Sequence, residues 1–126
     1  MKKALIIFFL IILLLLSSCT RKVGWIGIDI GNKFNAHYQF FDGNQISTLQ
    51  LDAGETLKLK FELEIINGAL TLQMLDPNKN TIWEKRFLED ASGNVEITPD
   101  IDGRYRLNVI GEETQGGFDL QWDILN

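Results

Sequence analysis

Thr56-Leu57-Lys58-Leu59-Lys60-Phe61-Glu62-Leu63-Glu64-Ile65-Ile66 decides the fold class. Leu57, Leu59, Phe61, Leu63 and Ile65 fall on one side of an extended chain, and Lys58, Lys60, Glu62 and Glu64 fall on the other. A helix would scatter the five apolar residues around its axis, whereas a strand buries them together. Asn67-Gly68 follows directly. This pair accepts positive φ at both central turn positions, so it predicts a hairpin. Leu70, Leu72 and Met74 then continue the alternation on a second strand.

Outward from this stretch the period of two persists. Asp76-Pro77-Asn78-Lys79-Asn80 is a turn by composition. Ile82 to Leu88 reads as a strand with Trp83, Lys85 and Phe87 on one side. Ser92-Gly93-Asn94 punctuates, Val95 and Ile97 mark a short strand, and Pro99 to Gly103 is another turn. Tyr105, Leu107 and Val109 alternate with Arg104, Arg106 and Asn108. Gly116-Gly117 opens a last strand with Phe118, Leu120, Trp122 and Ile124 facing inward. Upstream, Ala36, Tyr38 and Phe40 alternate with His37 and Gln39, Asp42-Gly43-Asn44 reads as a turn, and Ser47, Leu49 and Leu51 resume the pattern. Trp25 to Ile30 is a candidate edge strand. Seven to nine short strands with regular turns predict an all-β chain, a single small β-sandwich of jelly-roll-like or Greek-key type.

The N-terminus carries a different signal. Lys2 and Lys3 precede an apolar run of 13 residues, Ala4 to Leu16. As a helix this run would reach roughly 20 Å, short of a hydrocarbon core about 30 Å thick and suited to a signal-peptide h-region. Leu16-Ser17-Ser18-Cys19 resembles the lipobox of bacterial lipoproteins. The resemblance implies cleavage before Cys19, a diacylglyceryl thioether on its thiol and, in many bacteria, an acylated amine. One acyl chain holds a protein at a membrane only marginally, whereas two or three make release negligible. The expected organisation is a signal peptide over 1–18, then a lipidated cysteine, short tether and edge strand over 19–33, then the sandwich over 34–126. The chain is expected on the extracytoplasmic face of a cell membrane, or on an outer membrane in a cell that has two.

Composition narrows the function. The chain carries −5 formal charge, and loss of Lys2 and Lys3 makes the mature part more acidic still, which argues against nucleic acid as a partner. Cys19 is the one cysteine; once lipidated it leaves no disulfide, thiol nucleophile or cysteine metal site. His37 is the one histidine, and Ser47 and Ser92, the serines of the mature chain, stand in no G-x-S-x-G elbow. No cofactor motif is present, and no enzyme activity is expected. Oxygen-rich turns at Asp76, Asn78 and Asn80, and at Asp100 and Asp102, are the candidates for calcium. The first departs from an EF-hand, with Thr81 where glycine is needed and Phe87 where a bidentate acid is needed. Trp83 and Trp25 are the candidate ligand contacts, while Trp122 belongs on the inward face.

The run Gly103 to Val109, followed after a loop by Gly117-Phe118-Asp119-Leu120, resembles the closing strands of the bacterial pre-peptidase C-terminal domain and of the GOLD domain. Asp76-Pro77 after an apolar strand fits the same layout. The resemblance spans most of residues 34–124 and implies an accessory or interaction module with no catalytic residues to carry over. The expected function is therefore a membrane-anchored, non-catalytic module that binds a protein partner in the cell envelope, with a carbohydrate or cell-wall polymer as the alternative partner.

Overall fold

The computed structural model describes residues 19–125, so the expected signal segment over 1–18 lies outside the described residues. None of the described residues is helical. Seven antiparallel strands follow in order: β1 (Arg21–Val23), β2 (Ile26–Ile30), β3 (Lys33–Leu51), β4 (Thr56–Leu75), β5 (Thr81–Phe87), β6 (Ala91–Ile97) and β7 (Gly103–Leu125). The hydrogen-bonded order is β1-β3-β7-β4-β5, with β2 also on β3 and β6 also on β4.

The registers show how this becomes a sandwich. β1 and β2 lie end to end along one side of β3, and β5 and β6 lie end to end along one side of β4. The three long strands pass through both halves and bend at the same level. Pairing slips between Tyr38 and Gly43 on β3, and between Ile65 and Ala69 on β4. One half-sheet is thus β2, β3 from 33 to 38, β7 from 116 to 125, β4 from 56 to 65, and β6. The other is β1, the remainder of β3, β7 from 103, β4 from 69, and β5. Strands that turn a corner by bulging can feed two packed sheets at once.

The bend corrects three expectations. The hairpin at Asn67-Gly68 does not form; β4 runs through it as one strand of 20 residues. Gly68 does adopt positive φ, 73°, but a Cβ there would stand 2.4 Å from the Glu112 carbonyl oxygen, so the position serves close strand contact at a bulge. Likewise Asp42-Gly43-Asn44 and Gly116-Gly117 lie within β3 and β7 rather than between strands. Side chains satisfy the amides and carbonyls that the bulges release. Ile65 N–H donates to Asp90 Oδ1 at 2.8 Å, Glu113 N–H to Asp42 Oδ1 at 3.1 Å, and Thr114 Oγ1 to the Asn67 carbonyl at 2.9 Å.

Between bends the alternation holds. Leu57, Leu59, Phe61, Leu63 and Ile65 are all buried, and Lys58, Lys60, Glu62 and Glu64 are all exposed. Tyr105, Leu107, Val109, Phe118, Leu120, Trp122, Leu70, Leu72 and Met74 join them in one core cluster drawn from both half-sheets. Each fully buried leucine there contributes about 1.5–3 kcal/mol. The phase slips where β3 bends, so Phe41 is buried in place of the expected Phe40. Ile124, expected inward, is exposed at the strand end. The candidate edge strand exists, as β2, joined to β3 through Gly31 at φ 60° and Asn32.

Candidate functional site

β5 and β6 belong to opposite half-sheets, and a cavity of about 540 Å³ opens between them. Its walls come from four places: Ile82 and Trp83 on β5, Glu96 and Ile97 on β6, Asp76 and Asn78 in the β4–β5 turn, and residues 98–101 of the β6–β7 loop with Tyr105 behind them. The volume is ordinary for a small-ligand site.

Trp83 is half-buried because it sits on the inward face of an outermost strand, opposite Met74 on β4. One side of its indole packs near Phe61, centroids 6.5 Å apart. Tyr105 O–H donates to the Ile101 carbonyl at 2.7 Å and so fixes the β6–β7 loop. Burial pushes this phenol up from its ordinary value; the Ile101 bond opposes the shift, while Asp76, Asp100 and Asp102 add to it. Asp76 organises the facing turn. Its Oδ1 accepts from Asn78 N–H at 2.9 Å and from Asn80 N–H at 2.8 Å, and its Oδ2 accepts from Asn80 Nδ2 at 3.2 Å. The Asn80 backbone amide leads in holding this carboxyl below the usual range.

The cavity is therefore rich in acceptors. Asp76 and Asp100 bring carboxylates, with Glu96 at the rim on the exposed side of β6, and ionised carboxylates only accept. Asn78, Thr98 and the Trp83 indole N–H supply the side-chain donors that remain after Tyr105 is spent on Ile101. A complementary ligand brings hydroxyl or ammonium donors and an apolar face for the indole.

The candidates named from sequence separate cleanly. Trp83, Asp76, Asn78 and Asp100 converge on this cavity. Asn80 is held by Asp76, and Asp102 Oδ1 accepts from Ala53 N–H at 2.7 Å, tying the β6–β7 loop to the β3–β4 connection. Among the described residues, no group of three His, Cys, Asp or Glu side chains could hold a metal ion. Trp25 lies on the far side of the molecule, stacked on Tyr38, and Trp122 is buried in the core. Hence the three tryptophans form no row. Glu96 and Tyr105 reach the cavity without having been singled out. Their signal was position only: one starts the approach to the Pro99 turn and the other leaves it. Cys19 is exposed, two residues before β1.

A second concavity, about 650 Å³, lies on the outer face of the β2-containing half-sheet and is lined by His37, Glu62, Glu64, Asp90, Ser92 and Asp119 among others. It exists because residue 117, between His37 and Glu64 in register, is glycine; a Cβ there would stand 2.5 Å from His37 Nδ1. Among the described residues no hydrogen bond or ion pair joins His37 to these acids.

No protein-family model matches the sequence, and no curated protein matches it. Solved structures do share the fold. The chain is similar to a CBM4 carbohydrate-binding module, with TM-score 0.53 at 9% identity, over 84% of this chain and 77% of that one. It is similar to the pre-peptidase C-terminal domain of collagenase from Bacillus anthracis, with TM-score 0.51 at 14% identity, over 76% of this chain and 91% of that one. It is also similar to part of the enzymatically active domain of tailspike protein 4 from bacteriophage CBA120, with TM-score 0.52 at 12% identity. That match covers 84% of this chain but 19% of the tailspike chain. These likenesses bear out the β-sandwich and the expected resemblance to the pre-peptidase module at the level of fold.

Proposed function

We propose that the chain is a lipid-anchored, non-catalytic binding module of the cell envelope, and that it takes a hydroxyl- or amine-bearing glycan in the Trp83 cavity. The observation that carries this reading is the cavity itself: one half-buried indole stands in its wall together with the oxygen-bearing side chains of Asp76, Asn78, Thr98 and Asp100. A sugar ring offers both an apolar face and outward hydroxyls, which suits that lining. The carbohydrate-binding module among the fold relatives supports the reading, although a shared fold does not transmit a ligand. The same acids disfavour phosphate-rich wall polymers by like-charge repulsion. Anchoring rests on the lipobox ending at Cys19, so labelled palmitate incorporated by the parent chain should be lost on Cys19→Ala.

A protein partner is the second reading. The outer groove with Glu62, Glu64, Asp90 and Asp119 favours it, since such a surface suits a basic segment.

The test is sedimentation of the soluble Cys19→Ala domain with insoluble cell wall. Binding should persist or improve after phosphate-rich polymers are stripped from the wall, and amino sugars should compete. If no wall fraction carries the domain down, and crosslinking in cells instead recovers one envelope protein, the glycan reading fails and the second replaces it.

A further inference from the structure

The molecule has four short strands whose outer sides pair with nothing among the described residues, and they differ in chemistry; β1 is three residues long and carries Arg21 and Lys22. β5 carries Glu84, Lys85 and Arg86, and β6 carries Ser92, Asn94 and Glu96. Charged and polar edges of this kind discourage strand addition. β2 reads Ile26-Gly27-Ile28-Asp29-Ile30. Its three isoleucines are 78%, 47% and 73% exposed and share the outer face with their β3 neighbours His37, Asn35 and Lys33. Its one charge, Asp29, points to the opposite face, where Ser47 Oγ donates to it at 2.7 Å.

We propose that β2 is covered by the β2 of a second copy of this chain, paired antiparallel about a two-fold axis through Ile28. The sequence is self-complementary in that register. Ile28 faces Ile28, and Ile26 faces Ile30 twice, so six isoleucines merge into one patch. On the other face each Asp29 stands opposite a Gly27, which keeps the two carboxylates from opposing each other. The two five-stranded half-sheets become one continuous sheet of ten. A lipid surface is the poorer occupant, because the apolar strip is one strand wide: the rows beyond it are polar and of mixed sign, with Lys33, Asn35 and His37 on β3, Asp119 on β7, and Lys60, Glu62 and Glu64 on β4.

A five-residue edge buries less than a standard interface of about 1,600 Å², so pairing in dilute solution is weak. A shared membrane raises the effective concentration. Cys19 stands seven residues before Ile26, and a two-fold normal to the paired sheet leaves both cysteines at the same height along the axis. One bilayer can therefore hold both anchors. The pairing is independent of the Trp83 cavity; only its population rests on the anchor.

The experiment introduces single cysteines into the full chain in its own membrane and oxidises mildly, with the parent chain as the control for Cys19. Directly opposed strand residues have Cβ atoms about 4.5–5.5 Å apart, close to the reach of a disulfide. Ile28→Cys alone should yield a disulfide-linked species of doubled mass. Ile26→Cys alone and Ile30→Cys alone should match the parent, and the two co-expressed should crosslink. Ile82→Cys, on the exposed face of β5, should also match the parent. Equal crosslinking by all positions, a product of another mass, or no excess over the parent for Ile28→Cys would overturn the pairing. So would anionic vesicles that sediment the soluble domain and release it on Ile28→Lys. Should the parent chain fractionate as soluble, the anchor fails instead, and the same cysteines in concentrated purified protein decide the pairing. Ile28→Lys lies on the outer face and should retain the parent's thermal midpoint.

Discussion

Trp25 and Trp83 are both half-buried, both pack against the core, and both lie along an outer edge of the sandwich, Trp25 between β1 and β2 and Trp83 within β5. Their surroundings differ completely. Trp25 stacks on Tyr38, with centroids 5.4 Å apart and 13° between planes, and meets Phe41 and Phe118 at 5.2 and 6.0 Å. The Lys22 ammonium stands 4.4 Å from its ring. Close by, the Asp29–Ser47 hydrogen bond ties the two half-sheets together. That side of the sandwich is closed, and its indole is a lid. On the other side Trp83 meets Phe61 alone among aromatic rings, and the rest of it faces a cavity. Partial exposure does not mark a ligand contact; what marks it is whether the remaining ring face already has a neighbour.

The contrast is open to direct attack. The largest effect should come from the corner that both sides share. A Cβ on Gly116 would stand 2.0 Å from the Glu64 carbonyl oxygen, at φ 138°. Gly116→Ala should therefore lose about 4 kcal/mol in urea unfolding and blur both sides together. Trp25→Ala should lose about 3 kcal/mol, the low end for a large aromatic because the ring is only partly buried, with ligand binding retained by the folded fraction. Trp83→Ala should lose about 1.5 kcal/mol of stability, since it gives up one ring contact, and should lose binding.

Smaller still is Tyr38→Phe. The Tyr38 hydroxyl is buried and makes no well-formed hydrogen bond, with the Thr114 hydroxyl as its polar neighbour. Burial drives its pKa well above the ordinary 10.0, the Thr114 hydroxyl offsets part of this, and the Glu64 charge adds to it. A group whose folded-state pKa is raised supports the fold below its unfolded value and ceases to as pH climbs past it. Wild type should thus lose stability above about pH 10, and Tyr38→Phe should lessen that loss while stabilising by about 1 kcal/mol at neutral pH. Asp76 gives the mildest test. Its depressed carboxyl supports the fold above the ordinary 3.8 and loses that support as pH falls through its folded-state value. Thermal midpoints of Asp76→Asn should fall less steeply than wild type below pH 4.

Straight strands were legible from the sequence, and bent ones were not. Leu57 to Ile65 announced their face because two-residue alternation has one structural solution when one side is buried. Asn67-Gly68 announced positive φ correctly and reversal wrongly. A left-handed glycine fits a tight turn and a bulge equally well, and the choice falls to distant neighbours, here the Glu112 and Glu113 carbonyls. The slip from Phe40 to Phe41 has the same origin. At the site, Trp83, Asp76, Asn78 and Asp100 were visible singly, each as a ring or an oxygen in a turn. Their convergence depends on β5 and β6 lying along the same side of β4 across the corner, which no local pattern contains. The His37 groove depends on an absent side chain at Gly117, on the strand beside the glutamates it exposes but far from them in sequence.

The most direct measurement compares Trp83→Ala and Trp25→Ala, each in the soluble Cys19→Ala domain, for binding to phosphate-stripped cell wall at matched folded concentration. Trp83→Ala should weaken binding by about tenfold or more, equivalent to about 1.4 kcal/mol, while Trp25→Ala binds as the parent does. Parent-like binding by Trp83→Ala, or equal losses in both variants, would contradict the assignment of the open side as the ligand site.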